Sequence, residues 1–446
     1  MKLPIKETIK NVQNYVMNIK NKKAVVLATS SVAIILAAVI TITSIMNSKG
    51  VITKNGDLMK GVGGARVKNA RVTEGFSETY ANFCLDLLIN SNKQDNIAFA
   101  PSNVMSAVGL LGCGAESNTK LEIERTLVMK SKEIGEQISS IESRIKFNEK
   151  KGYGLRFSNN ILMNNTVMYG IKKRFLKDNA KYFGLGLDRV SFSGEKEVTS
   201  VFEKYTEEIQ YISKVNYDVD KLQYMNILSN AAFNAKWDEE VCFKDTENDI
   251  FTGSNFTTET TLFNFLCDSF IEGGVYKGFT KKLKGDFTFV GLLPDEQDVG
   301  TYYTIDMIFT ELAETGQFKN ITSTAREEEV AVSLPLYNNN VTVTTTTKFS
   351  SIIKNMGIHS VFEKTANFDN MAEMSANLHV SEIAAAGNIA LCPAGVCDAQ
   401  SSNDESNEKK IKECDNKLIF NREFAYLIID DKTGLPIYCA IVRTLA

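Results

Sequence analysis

The sequence of 446 residues predicts an α+β domain carrying large sheets, preceded by one N-terminal transmembrane helix. Three observations carry this expectation. An uncharged apolar run extends from Ala24 to Met46. Apolar residues then recur at helical spacing in the first part of the remaining chain. Alternating or continuously apolar, β-branched segments dominate its second half.

The run AVVLATSSVAIILAAVITITSIM is long enough to cross the hydrocarbon core, which takes about 20 residues as a helix. Lys2, Lys6, Lys10, Lys20, Lys22 and Lys23 precede it. Positive charge favours the cytoplasmic side, so the N-terminus is expected inside and the rest of the chain outside the cell membrane. A cleaved signal peptide is the rival reading, but the run is longer than a signal h-region and ITSIMNSKG lacks the small-residue cleavage pattern. The sequence therefore divides into a cytoplasmic tail (1–23), a signal-anchor helix (24–46), a Gly- and Lys-rich linker (47–72) and one globular domain (73–446).

Within that domain GFSETYANFCLDLLIN places Phe76, Tyr80, Phe83, Leu87 and Leu88 on one helical face. SAVGLLGCGAESNTKLEIERTL reads as a buried helix, a turn and a second helix, and IKKRFLKDNAKYFG as an amphipathic helix. KLQYMNILSNAAF, FTFVGLLP, EVAVSLPLY, NVTVTTTT, FAYLIIDD and LPIYCAIVRTL read as strands. No repeat and no Pro/Gly break splits the region into two domains.

Composition excludes several functions. Hydrophobic content of 43% with 23% charged residues supports a packed core. A net charge of −4 without a basic stripe argues against nucleic-acid binding. The two histidines, His359 and His379, leave little from which to build a catalytic triad or a His-based metal site. None of the eight cysteines forms a C-x-x-C pair, and no G-x-S-x-G motif occurs. The expectation is a monomeric non-enzyme without cofactor or metal.

Five segments, in order, resemble the serpin family over nearly all of 73–446. NIAFAPSNVMSAVGLLGCGAESNTKLEIERTL is similar to its second-helix region, with Pro101 and Ser102 in the S-P-x-S place. MNILSNAAFNAKWDEEVCFKDTENDIF is similar to N-A-x-Y-F-x-G-x-W, with Asn230, Ala231, Phe233 and Trp237 in register. FTFVGLLPDE, EVAVSLPLY and the closing LIFNREFAYLIIDDKTGLPIYCAIVRT complete the set, with Glu423 where a Pro is usual. The resemblance implies the serpin fold, with three β-sheets and an exposed reactive-centre loop, and suicide inhibition of a serine protease. In that mechanism a cleaved bait loop enters a sheet as a new strand, and alternate loop residues pass to the buried face. It further implies that Ser102, Asn230 and a histidine form a buried polar cluster beneath the sheet. Ala385 stands in the place of that histidine, so its hydrogen bonds must be met otherwise.

On the same alignment Gly395 is the hinge glycine, and Trp237 lies at the breach where the loop would enter. The hinge runs Gly395, Val396, Cys397, Asp398, Ala399, Gln400, Ser401, Ser402, with Val396, Asp398, Gln400 and Ser402 as the inward set. Asp398 opposes insertion, since burying an unpaired carboxylate is costly. Pro393 lacks the donor that a ladder would need. Family spacing carries the scissile bond to Lys409–Lys410, which suits a trypsin-like pocket. A count anchored on Glu382 gives Asp398 as bait and a caspase-like target, at the cost of an over-long loop. SSNDESNEKKIKECDN also fits a merely solvated loop. Cys392, Cys397 and Cys414 flank it, and outside the cell a Cys397–Cys414 bridge would tether it. Two functions thus compete: a membrane-anchored inhibitor, and a non-inhibitory binding or surface module of the same fold.

Overall fold

The computed structural model describes residues 50–52, 56–165, 170–192, 195–207, 209, 224–239, 246–336, 343–396, 414 and 416–445. The apolar run 24–46 lies outside them, and no helix among the described residues is long and apolar enough to cross a membrane.

The chain opens with short strands β1 (Val51–Ile52) and β2 (Gly56–Asp57), then helix α1 (Glu74–Ile89). Thr73 caps α1 by accepting from the Phe76 amide, and Phe76, Tyr80, Phe83, Leu87 and Leu88 form its buried face, as their spacing predicts. After β3 (Ile97–Phe99) comes α2 (Pro101–Gly114), with Pro101 in its first turn and nearly every residue buried. It is buried almost all round because it packs against strands of both large sheets. Helices α3 (Ser117–Thr126) and α4 (Ser131–Ile145) follow, the latter burying Ile134, Ile138, Ile141 and Ile145 along one stripe.

Strands β4 (Gly154–Asn164), β5 (Gly170–Lys172), β6 (Leu185–Val190) and β7 (Met225–Lys236) are interleaved with α5 (Lys173–Tyr182) and α6 (Glu195–Glu207). A run of strands comes next: β8 (Thr246–Thr252), β9 (Thr257–Glu272), β10 (Tyr276–Leu283), β11 (Phe287–Pro294), β12 (Glu296–Asp298) and β13 (Thr301–Tyr302). Then come α7 (Ile305–Glu314), β14 (Arg326–Pro335), β15 (Val343–Lys348), α8 (Ser350–Asn355) and β16 (Ala372–Glu373). The chain closes with β17 (Val380–Ile389), β18 (Gly395–Val396), β19 (Lys417–Ile419), β20 (Phe424–Asp430) and β21 (Leu435–Val442).

Two large sheets dominate. A seven-stranded sheet has the order β15-β17-β7-β4-β6-β2, with β18 added on β7. A nine-stranded sheet has the order β19-β14-β9-β10-β11-β20-β21-β3, with β8 added on β9. The long β9 pairs with both β14 and β10, so hydrogen bonding fuses two of the three expected sheets. Small sheets β1-β5-β16 and β12-β13 complete the set. The continuous apolar runs of β11, β20 and β21 are buried along their whole length, as strands covered on both faces must be. Glu423 finds its reason here: it accepts from Arg443, a nearly fully buried guanidinium that also donates to Asp306, each at 2.8 Å.

The Gly- and Lys-rich stretch read as a linker packs onto the domain over its described residues 56–72. The β2 strand pairs with β6, Leu58 is fully buried, and the Leu58 amide donates to Leu187 O at 2.9 Å. Arg66 donates to Ser139 Oγ at 3.0 Å and forms an ion pair with Glu142 of α4. Ser139 and Ser140 donate to the carbonyls of Val67 and Ala70, and Gln137 accepts from the Thr73 amide at 2.7 Å. Composition hid this strap because carbonyls and a single arginine hold it alongside scattered apolar side chains, Leu58, Val62, Val67 and Val72, that follow no helix or strand period.

Glu142 is completely buried, and burial pushes its carboxyl up to about 7 despite the opposing pull of Arg66 and Ser106. Its folded pKa therefore exceeds its unfolded value of 4.5, so the stability this site contributes is complete below that pH. That contribution is lost as the pH rises toward 7. Replacing Glu142→Gln should flatten this part of the pH dependence, read by thermal unfolding of both chains between pH 4.5 and 7. Identical slopes would show that Glu142 does not titrate there.

Candidate functional site

The centre of the seven-stranded sheet is a pair of parallel strands, β17 and β7, in register from Glu382↔Asn226 to Gly387↔Ala231. β15 flanks β17, and β4 runs antiparallel along the other side of β7. Above Gly387 and Ala231 the ladder stops and the two strands fork.

The Gly395 segment fills the mouth of that fork. Past β17 the chain turns at Cys392–Gly395, where the Cys392 amide donates to Gly395 O and the Gly395 amide to Cys392 O, both at 2.9 Å. It then runs back as β18, antiparallel to β7, with Gly395 opposite Lys236 and Val396 opposite Ala235. The Trp237 amide donates to Ala394 O at 2.9 Å. β18 is thus bonded on one side to the extension of β17 and on the other to β7.

Local chemistry explains the turn. Pro393 sits inside it, where a fixed φ is favourable and no amide is needed, so it does not interrupt a ladder as the sequence suggested. Gly395 has φ +145°, and a Cβ there would lie 2.4 Å from Ala235 O. Only glycine fits. Val396 is buried, and the Trp237 ring packs edge-on to Phe289 at 5.5 Å.

The polar cluster under the sheet is built differently from expectation. Asn230 is fully buried, and its Oδ1 accepts from the Ala386 amide at 3.2 Å, a bond from β7 to β17. Asn103 donates to Asn230 O at 2.9 Å and to Ser158 O at 3.1 Å. Asn159 donates to Asn103 Oδ1 at 2.7 Å, and Ser229 to Asn159 Oδ1 at 2.7 Å. Ser102, one position earlier on α2, is buried beside Tyr80 instead, because successive helical residues point about 100° apart. The fourth place of the A-P-S-N segment, Asn103, is the one that reaches Asn230. Ala385 is buried opposite Thr347 and takes no part. Asn103 and Asn159 were legible only as asparagines inside otherwise buried elements.

A further polar group lies at the fork. Asn388 Oδ1 accepts from the Phe233 amide at 3.3 Å, and the Tyr438 hydroxyl of β21 meets Asn388 N at 2.7 Å, O at 2.7 Å and Oδ1 at 3.0 Å. Gly387 permits this approach, since a Cβ there would lie 2.0 Å from Ala98 O and 2.9 Å from the Tyr438 hydroxyl. The sequence signal was a lone Asn in AAAGNIAL.

Asp398, Ala399, Gln400, Ser402, Lys409 and Lys410 lie outside the described residues, as does Cys397. Cys414 is a free thiol and donates to Glu329 O at 3.1 Å.

Three comparisons bear on this arrangement. A family model described as "Serpin (serine protease inhibitor)" matches residues 78–444. Mouse neuroserpin is 22% identical over 410 residues, 84% of this chain and 92% of that protein. The thermophilic serpin tengpin in its native state has a TM-score of 0.70 at 21% identity, covering 88% of this chain and 100% of the other. Human thyroxine-binding globulin complexed with thyroine has a TM-score of 0.65 at 17% identity, covering 83% of this chain and 98% of the other.

Asn103→Ala should leave the Asn159 amide and the Asn230 carbonyl without their buried partner, costing about 3 kcal/mol in urea unfolding. A loss below about 1 kcal/mol would show that the cluster is not a connected network.

Proposed function

The chain belongs to the serpin family, whose members are in general protease inhibitors rather than enzymes, and on that premise we propose that it traps a trypsin-like serine protease. The cleaved loop would extend β18 down the fork between β17 and β7. The observation that carries this reading is that Gly395 and Val396 already form a strand there, antiparallel to β7 with Val396 buried. An inserting strand needs this direction and register. The family's chemistry asks for no catalytic group from the inhibitor. The protease opens the Lys409–Lys410 bond, its serine becomes acylated by Lys409, and strand addition distorts it before water can release it.

Position in the ladder also identifies the weak point. Inward residues alternate, so Val396 is followed by Asp398, whose carboxylate must enter the sheet protonated or partnered. This residue favours a second reading, a non-inhibitory serpin-fold binding module. Thyroxine-binding globulin, whose name states a ligand, shares the fold.

The apolar run 24–46 would hold the domain at the cell surface, with residues 1–23 inside. Fractionation should find the unshortened chain in the membrane pellet, resistant to salt and released by detergent. A shortened soluble form would remove the anchor from the proposal.

Near-equimolar incubation of the full chain with trypsin should give a complex that survives a denaturing gel, with the small fragment beginning at Lys410. Asp398→Thr should raise the trapped fraction several-fold over simple cleavage. Clean cleavage with trypsin left fully active, in both chains, would favour the binding module.

A further inference from the structure

The fork holds two unsatisfied edges, and one side-chain pair closes both. In an antiparallel ladder every second residue of a strand is bonded to the same neighbour. Trp237 bonds to Ala394 through its amide, and Ala235 lies opposite Val396, so the next residue of β7 to offer its amide into the fork is Phe233. Asn388 Oδ1 holds that amide. On the β17 side, the Asn388 amide and carbonyl meet the Tyr438 hydroxyl rather than a strand.

We propose that Asn388 and Tyr438 form a polar latch that occupies the first backbone bonds an advancing loop strand must make, and so sets the rate at which this chain's sheet accepts another strand. The inference rests on the insertion reading above. Both residues are nearly fully buried, so neither side chain has water as an alternative partner. The bond to Phe233 exists only in the forked state, because a strand passing that level brings its own carbonyl to the same amide. Removing the latch therefore raises the energy of the forked state more than that of the filled one. Tyr438 is a positioning residue: its hydroxyl orients the Asn388 amide, and its ring packs against Phe233 at 6.3 Å between centroids. The Asn230–Ala386 bond lies one step below the fork and holds strands that are already paired, so it does not compete for the Phe233 amide.

The test uses the full chain, under reducing conditions, and a synthetic peptide of residues 396–407. Uptake is followed by native gel and by gain in heat resistance. Asn388→Ala should take up the peptide faster than wild type by on the order of fivefold, the worth of one net hydrogen bond. Tyr438→Phe, which keeps the ring, should also accelerate uptake and carries the test if Asn388→Ala does not fold. Asn179→Ala serves as the control for destabilisation alone, since Asn179 is buried on α5 and donates to Phe175 O, away from the fork. It should lower heat resistance without changing the uptake rate. Uptake by Asn388→Ala and Tyr438→Phe no faster than by wild type or by the Asn179→Ala control would overturn the latch. A wild-type chain that takes no peptide, and gains no heat resistance when cut by trypsin, would instead sink the insertion reading, and the latch with it.

Discussion

Strand β7 carries the constraint on which the rest of this domain turns. One of its edges is paired with β4 from Met225 to Asn234. The other faces β17, which stays in register only as far as Gly387. A buried amide without a partner costs about 1–3 kcal/mol, so β7 cannot leave the upper part of that edge empty. The chain meets the demand piecemeal, with the Asn388 side chain at Phe233, Val396 opposite Ala235, and the Ala394 carbonyl at Trp237. Each substitute supplies what one continuous strand would supply at once, which is why the proposed entry of a strand falls at the fork.

The same economy explains the layer beneath. A histidine is missing at Ala385, yet the buried polar groups do not fall apart. Asn103, Asn159 and Ser229 form a chain of donors and acceptors running from α2 to β4 and β7, and Asn230 extends it to β17. α2 is thereby tied to β4, β7 and β17. The strap of residues 56–72 acts at the far edge, pairing with β6 and placing Arg66 against buried Glu142. The sheet is thus fastened at its edge and its base and left divided at one point.

Most of the fold was legible because its signals are local and periodic. The face of α1, the buried runs of β11, β20 and β21 and the β-branched β15 all followed from side-chain spacing. What spacing does not report is which backbone groups a side chain will serve. Ser102 was read in place of Asn103 because a motif does not show which way a helical residue points. Pro393 was read as a defect in a ladder, whereas the chain turns there. The packing of residues 56–72 was hidden for a related reason, since the carbonyls and the ion pair that help to hold the strap leave no periodic signal. Asn388 passed unremarked in an apolar run because its role depends on a fork that only the pairing of distant strands creates.

Amide hydrogen exchange over Met225–Lys236, compared between the intact chain and the chain cut at Lys409, tests whether the fork is a strand site. If the cleaved loop fills it, the amides of β7 that face the fork, Phe233 foremost, become part of a continuous ladder, and their exchange slows sharply on cleavage. Unchanged or faster exchange across β7 after complete cleavage would mean that the fork stays open, and that β18 marks the end of the hinge rather than the start of a strand.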